Sequence, residues 1–154
     1  MRIGLVLRSG IVLLAAVVAT AATASRAEAQ DATLQGAWRN GDTSIRITVN
    51  KLEAKGMFVE VGQEARALGF KPGETSLAAT VVSTFYLHGE QTIRYSGTFS
   101  RCYPNGRKVP IMGRMTPDGR GLAVHFYNVT LDPNCRDTGA YDITQTIWER
   151  VPGR

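Results

Sequence analysis

The sequence predicts an all-β domain: an antiparallel up-and-down meander of seven or eight strands closed into a barrel, preceded by a cleaved signal peptide. Three observations predict it. From residue 44 onward, segment after segment alternates apolar and polar residues with a period of two. Turn residues separate these segments, and most links are short enough to make neighbouring strands antiparallel. The one helix candidate is confined to a single connection. Strands with one apolar side must close or stack to bury it, so a sandwich is the alternative architecture.

Arg2 and Arg8 frame a basic region, and "GIVLLAAVVATAATA" (10–24) is apolar. "SRAEAQ" follows, with Ala27 and Ala29 at small-x-small positions. This is the order of a secretory signal peptide spanning 1–29, with cleavage after Ala29 and Ala24 as second choice. Its strictly apolar part, 11–19, is shorter than the roughly 20 residues a membrane span requires. The mature chain is therefore expected in the periplasm or secreted, without a membrane span. Residues 30–154 form one β-barrel domain by length. The whole chain carries a net charge of +5. Removing Arg2, Arg8, Arg26 and Glu28 removes three positive charges and one negative, leaving +3. That balance fits an exported domain and gives no reason to expect nucleic acid.

The mature segments follow in order. "LQGAW" (34–38) is the eighth strand if it pairs. "SIRITV" (44–49) sets Ile45, Ile47 and Val49 against Ser44, Arg46 and Thr48. "GMFVEV" (56–61) puts Met57, Val59 and Val61 on one side. "QEARALGF" (63–70) reads as a loop with one helical turn. "SLAATVVSTFYLH" (76–88) is a long β-branched and aromatic run, and His88-Gly89 reads as a tight turn. "QTIRYSGTFSRC" (91–102) then groups Ile93, Tyr95 and Phe99. "RKVPIMGRM" (107–115) alternates Val109, Ile111 and Met115. "TPDGR" (116–120) places Pro and Gly where a hairpin turn wants them. "GLAVHFYNVT" (121–130) and "YDITQTIWERV" (141–151) complete the series.

Cys102 and Cys135 are the only two cysteines. Cys102 ends the strand before 107–115, and Cys135 follows the strand after it. Going out along one strand and back along the next returns the chain to its starting end. Topology thus puts both at one rim, where a disulfide is the simplest reading for an exported protein. A metal site would need a Cys-x-x-Cys or nearby histidines, and a redox pair would need close spacing. Neither is present, so no metal and no cofactor is expected.

Residues 36–61 resemble the first hairpin of avidin-like barrels, within the calycin group that includes the lipocalins. The resemblance lies in Gly36-Ala37-Trp38 just before the first strand. In those proteins the Trp plugs the closed end, and an aromatic or arginine of the last strand packs near it. The resemblance assigns that role to Trp148 and Arg150. It also puts Asn40 where avidins carry a polar group for the ligand, and Phe58 where they carry a tyrosine. No tryptophan lies between Trp38 and Trp148 to supply their later stacking residues.

Other candidates come from the residues themselves. In 121–130, His125 and Tyr127 share one face, and Leu122, Val124 and Phe126 share the other. Both faces are apolar. If Leu122, Val124 and Phe126 face the core, His125 and Tyr127 are surface or contact residues. Otherwise they line the lumen, with His125 a candidate acid or base. His88 is expected in solvent. Arg94, Arg101, Arg107, Lys108, Arg114 and Arg120 accumulate in one region against Asp118 alone. Arg101, Arg107, Lys108 and Arg136 flank the bridged rim as a candidate patch for an anion or acidic partner, with a solvated hairpin face as the plainer reading. The functional expectation is an exported, non-enzymatic barrel that binds an unidentified small molecule. A protein-interaction module such as a protease inhibitor, with "QDATLQ" (30–35) as its free segment, is the second reading. An enzyme using His125 is the third.

Overall fold

The computed structural model describes residues 34–152, so the expected signal peptide lies outside the described residues. The chain forms β1 (Gly36–Asn40), β2 (Thr43–Asn50), β3 (Glu53–Glu60), a short helix α1 (Gln63–Ala67), β4 (Thr75–Ser83) and β5 (Tyr86–Ile93). A 3₁₀ turn (Gly97–Arg101), β6 (Arg107–Met115), β7 (Gly121–Leu131) and β8 (Asp137–Arg150) follow. The eight strands form a closed barrel in sequence order. Every consecutive pair is antiparallel, and β1 returns to pair with β8. The segment beginning at Leu34 supplies the eighth strand. The barrel, rather than the sandwich, is the architecture.

The period-two pattern explains the core. Trp38, Ile45, Ile47, Leu77, Val109, Ile111, Leu122 and Val124 are fully buried, and most of their sequence neighbours are more exposed, Ser44 and Ser76 being buried exceptions. Each buried side chain of this size stabilises by roughly 1.5–3 kcal/mol over leaving it exposed.

One expected turn is misplaced. The chain reverses at residues 84–85, and His88-Gly89 lies inside β5. Gly89 serves packing rather than turning. A Cβ there would fall 2.1 Å from the Ala78 carbonyl oxygen and 2.4 Å from Ala79 Cα. The glycine thus permits a close approach of β4 and β5, one of the strand roles of glycine. The expected strand 91–102 is also shorter. β5 stops at Ile93, and the chain leaves the sheet through Arg94 and Tyr95 into the 3₁₀ turn.

A meander sorts its connections to two ends. The β2–β3, β4–β5 and β6–β7 turns gather with the start of β1 at the closed end. There Trp38 is fully buried and its Nε1 donates to the Leu34 carbonyl at 2.9 Å. Arg150 lies over it, with Cζ 4.4 Å from the ring centroid. Its Nε donates to Gly119 O at 2.8 Å and its Nη1 to Gln35 O at 3.0 Å. The longer β3–β4, β5–β6 and β7–β8 connections form the other end, the mouth. Cys102 and Cys135 are bonded there, with Cα atoms 5.4 Å apart, tying the β5–β6 connection to the β7–β8 connection.

Candidate functional site

The mouth holds a cavity of about 410 Å³. Its aromatic walls are Phe58 of β3, Phe70 beyond α1, Phe126 of β7, Trp148 of β8, and Tyr95 of the β5–β6 connection. Ser76, Gln91, Asn128, Thr144 and Thr146 add polar groups. The same alternation that fills the closed half with Leu, Ile and Val places Asn128, Thr144 and Thr146 on the inner face nearer the mouth.

Two local structures shape the walls. The segment carrying α1 folds back over the mouth because Asp42 Oδ2 accepts from Gln63 N at 2.9 Å, and Thr43 Oγ1 accepts from Gly62 N at 3.0 Å. This sets Phe70 against Phe58, with ring centroids 5.2 Å apart. The disulfide-tied connection supplies the opposite wall. Tyr95 Oη donates to Asn128 Oδ1 at 2.9 Å. Burial pushes the Tyr95 phenol above its ordinary value, against the opposing pull of Arg107, so it stays a protonated donor at neutral pH.

Arg94 joins the two walls. Its guanidinium lies 4.6 Å from the Phe70 ring centroid, pairs with Glu74 at 3.1 Å and donates to the Gly69 carbonyl. Its buried Nε has no hydrogen-bond partner. Glu74 offsets the charge, so Arg94 enters the cavity wall as a compensated ion pair.

The expected site residues separate by location. Phe58 lines the cavity. Asn40 is exposed at the end of β1, and its Nδ2 donates to the Ile147 carbonyl at 2.6 Å. His125 and Tyr127 alternate with buried Leu122 and Val124 and project from the outer wall. There His125 Nε2 lies 3.4 Å from Gln145 Nε2, and Tyr127 packs on Tyr141 with centroids 5.8 Å apart. Of the basic residues, Arg101 donates to the Pro133 carbonyl and so reinforces the bridged rim. Arg107 lies 5.4 Å from the Tyr103 ring, and Lys108 pairs with Glu90 at 3.3 Å on the outer wall. Arg136 is exposed in the β7–β8 connection. Among the described residues, no group of three or more metal-ligating side chains gathers.

Sequence reasoning missed Phe70, Arg94, Tyr95, Asn128, Thr144 and Thr146. One signal was available. Asp142, Thr144, Thr146 and Trp148 share one face of "DITQTIW", and that face turns from polar to aromatic along its length.

A larger hollow of about 800 Å³ lies against the outside of the closed end, lined by Thr116, Asp118, Arg120, Ile147, Glu149 and Arg150 among others. Several of its hydrogen-bonding groups are engaged within the chain, while the buried Arg150 Nη2 has no partner. Asp118 Oδ1 accepts from Thr116 Oγ1 and Arg120 N, and Arg150 is held as described. The mouth cavity has five aromatic residues in its walls and the outer hollow has none, so the mouth is the better ligand site. Among the described residues no helix is long and apolar enough to cross a membrane. No protein-family model, no curated protein and no solved structure matches this chain.

Proposed function

We propose that this chain is an exported, non-enzymatic barrel that binds a small ligand in its mouth. The observation that carries the reading is the mouth cavity: about 410 Å³ with five aromatic rings and a few convergent polar groups. That volume lies within the range of sites for drug-sized molecules. The Arg94–Glu74 pair selects for a neutral ligand, since an added charge would meet an already compensated site. The ring faces select for a flat, largely apolar body. The Thr144 and Thr146 hydroxyls and the Gln91 amide select for hydrogen-bonding groups at its rim. The Gly-x-Trp start and the Arg150–Trp38 stack support a calycin-like reading of the barrel, and the disulfide supports an oxidising compartment.

The test is native mass spectrometry of the chain purified from the exported fraction of its host. A bound small mass is expected, and Asn128→Phe, which fills the cavity, is expected to lose it. Retention of no small molecule, together with no shift in melting temperature across a library of neutral aromatic compounds, would overturn the reading.

A further inference from the structure

We propose that two copies of this chain pair edge to edge along β8, about a two-fold axis at Ile143. The proposal is independent of the mouth ligand and starts from a mismatch of strand lengths. β8 has 14 residues and β1 has 5. Their pairing covers only Trp38 with Arg150 and Arg39 with Glu149. Beyond it, Asn40 reaches Ile147, and then the chain turns away into β2. Barrel closure normally removes sheet edges. Here the overhang of β8 restores one.

The backbone hydrogen bonds show which groups that edge presents. Val151 N donates to Ala37 O on the β1 side, and Arg150 N donates to Arg120 O on the β7 side. The Ile147 carbonyl faces β1, where Asn40 holds it. Odd-numbered residues therefore aim both backbone groups toward β1, and even-numbered residues aim theirs toward β7. Tyr141, Ile143 and Gln145 present their N–H and C=O groups at the overhang, where no strand pairs with them among the described residues. All three residues are exposed, Tyr141 by 62% and Ile143 by 60%. Two devices that often blunt such an edge, Lys and Pro, are missing from "YDITQTI" (141–147), whose single charge is Asp142. Its register with β7 runs without a shift from Val129–Tyr141 to Gly121–Glu149.

A second copy satisfies these groups completely in one register. With the axis at Ile143, Ile143 faces its own mate, and Tyr141 faces the partner's Gln145 on either side. Three pairs of outward-facing residues then exchange both of their bonds, and the Asn40–Ile147 bond is left intact. Neighbouring registers fail on specific residues. An axis at Asp142 sets two carboxylates opposite each other. Axes at Thr144 or Gln145 need the Ile147 carbonyl that Asn40 holds. An axis at Tyr141 brings in Gly139, whose φ of 77° breaks the strand alternation. An axis between residues would oppose outward-facing groups to inward-facing ones. In the chosen register Asp142 meets the partner's Thr144, so no like charges face each other. The exposed Ile143 side chains meet at the axis, flanked by the Tyr127–Tyr141 pair of each copy.

The test uses the mature, disulfide-bonded chain. Sedimentation equilibrium from micromolar to several hundred micromolar is expected to show a dimer. Gln145→Pro removes an N–H from the edge and none from the β7 ladder, so it is expected to give a monomer with an unchanged melting temperature. Ile143→Lys opposes two ammonium groups at the axis and is expected to weaken the dimer at least ten-fold. Ile143→Cys is expected to form a covalent dimer with a short bismaleimide, and Ile147→Cys, on the same face outside the register, is not. A wild-type monomer throughout that range overturns the proposal, whatever other strand the edge then accepts. So does a dimer that survives both edge substitutions, or one that cross-links at residue 147 and not at 143.

Discussion

Arg150 concentrates several roles in one side chain. It sits opposite Trp38 in the β1–β8 register, covers the Trp38 ring and holds two carbonyls from segments far apart in sequence, Gly119 and Gln35. Burial pulls its pKa down from the ordinary arginine value, yet arginine still stays charged at any working pH. Hydrogen bonds to a charged donor contribute about 1.5–3 kcal/mol each, and a partly buried cation–π contact adds about 1 kcal/mol. Arg150→Ala is expected to cost at least about 3 kcal/mol in urea unfolding. Arg150→Lys recovers only part, because a single ammonium cannot reach both carbonyls and also lie flat on the ring. Asp118 is held in the β6–β7 turn. The Thr116 hydroxyl, followed by the Arg120 N–H, holds its carboxylate below the ordinary value of 3.8. A depressed folded-state value means the interaction supports the fold above 3.8 and is lost as pH falls through the folded value. In an NMR titration Asp118 is expected to protonate below 3.8, and Thr116→Ala is expected to move that midpoint upward.

At the scale of elements, the disulfide and the connection it anchors act together. The bridge joins residues separated by 33 positions, which in the chain-entropy account corresponds to about 4 kcal/mol. The double variant Cys102→Ser with Cys135→Ser is expected to lose about that much in equilibrium unfolding. Because Arg94 and Tyr95 lie on the tied connection, it is also expected to weaken ligand binding more than a purely global destabilisation would. Binding measured well below the melting transition separates the two effects. Most elements were legible from period-two alternation alone, and 107–115 was read with its final boundaries. The β4–β5 reversal was not. Residues 77–87 are apolar or β-branched apart from Ser83, so the pattern offered Gly89 as the first punctuation. That glycine answers a steric demand from β4, which no single-strand pattern reveals. Gly89→Val is expected to cost more than about 3 kcal/mol, since the added carbons meet backbone rather than movable side chains. The site was less legible for a related reason. Arg94, Tyr95 and Phe70 lie in irregular segments whose direction is set by contacts with Glu74, Asn128 and Phe58, all distant in sequence.

For the whole molecule, the meander divides one barrel into a plugged half and an open half, and each half contains one tryptophan. Trp38 is fully buried beneath Arg150 at the closed end, while Trp148 is 7% exposed and lines the cavity. The two side chains lie on neighbouring strands, yet they report on different properties. Trp148 lines the mouth cavity and Trp38 does not, so a ligand bound there is expected to contact the Trp148 ring alone. Intrinsic fluorescence should therefore change on binding through Trp148 alone. Trp148→Phe is expected to keep the fold and most of the affinity measured by calorimetry, while abolishing the optical signal. Trp38→Phe is expected to keep the signal, because the cavity walls are untouched. It should nevertheless lower stability by roughly 1–3 kcal/mol, through the lost Nε1 bond to Leu34 and the reduced ring area under Arg150. The opposite assignment, with the signal lost in Trp38→Phe and kept in Trp148→Phe, would place the ligand outside the mouth and separate the cavity from the binding function.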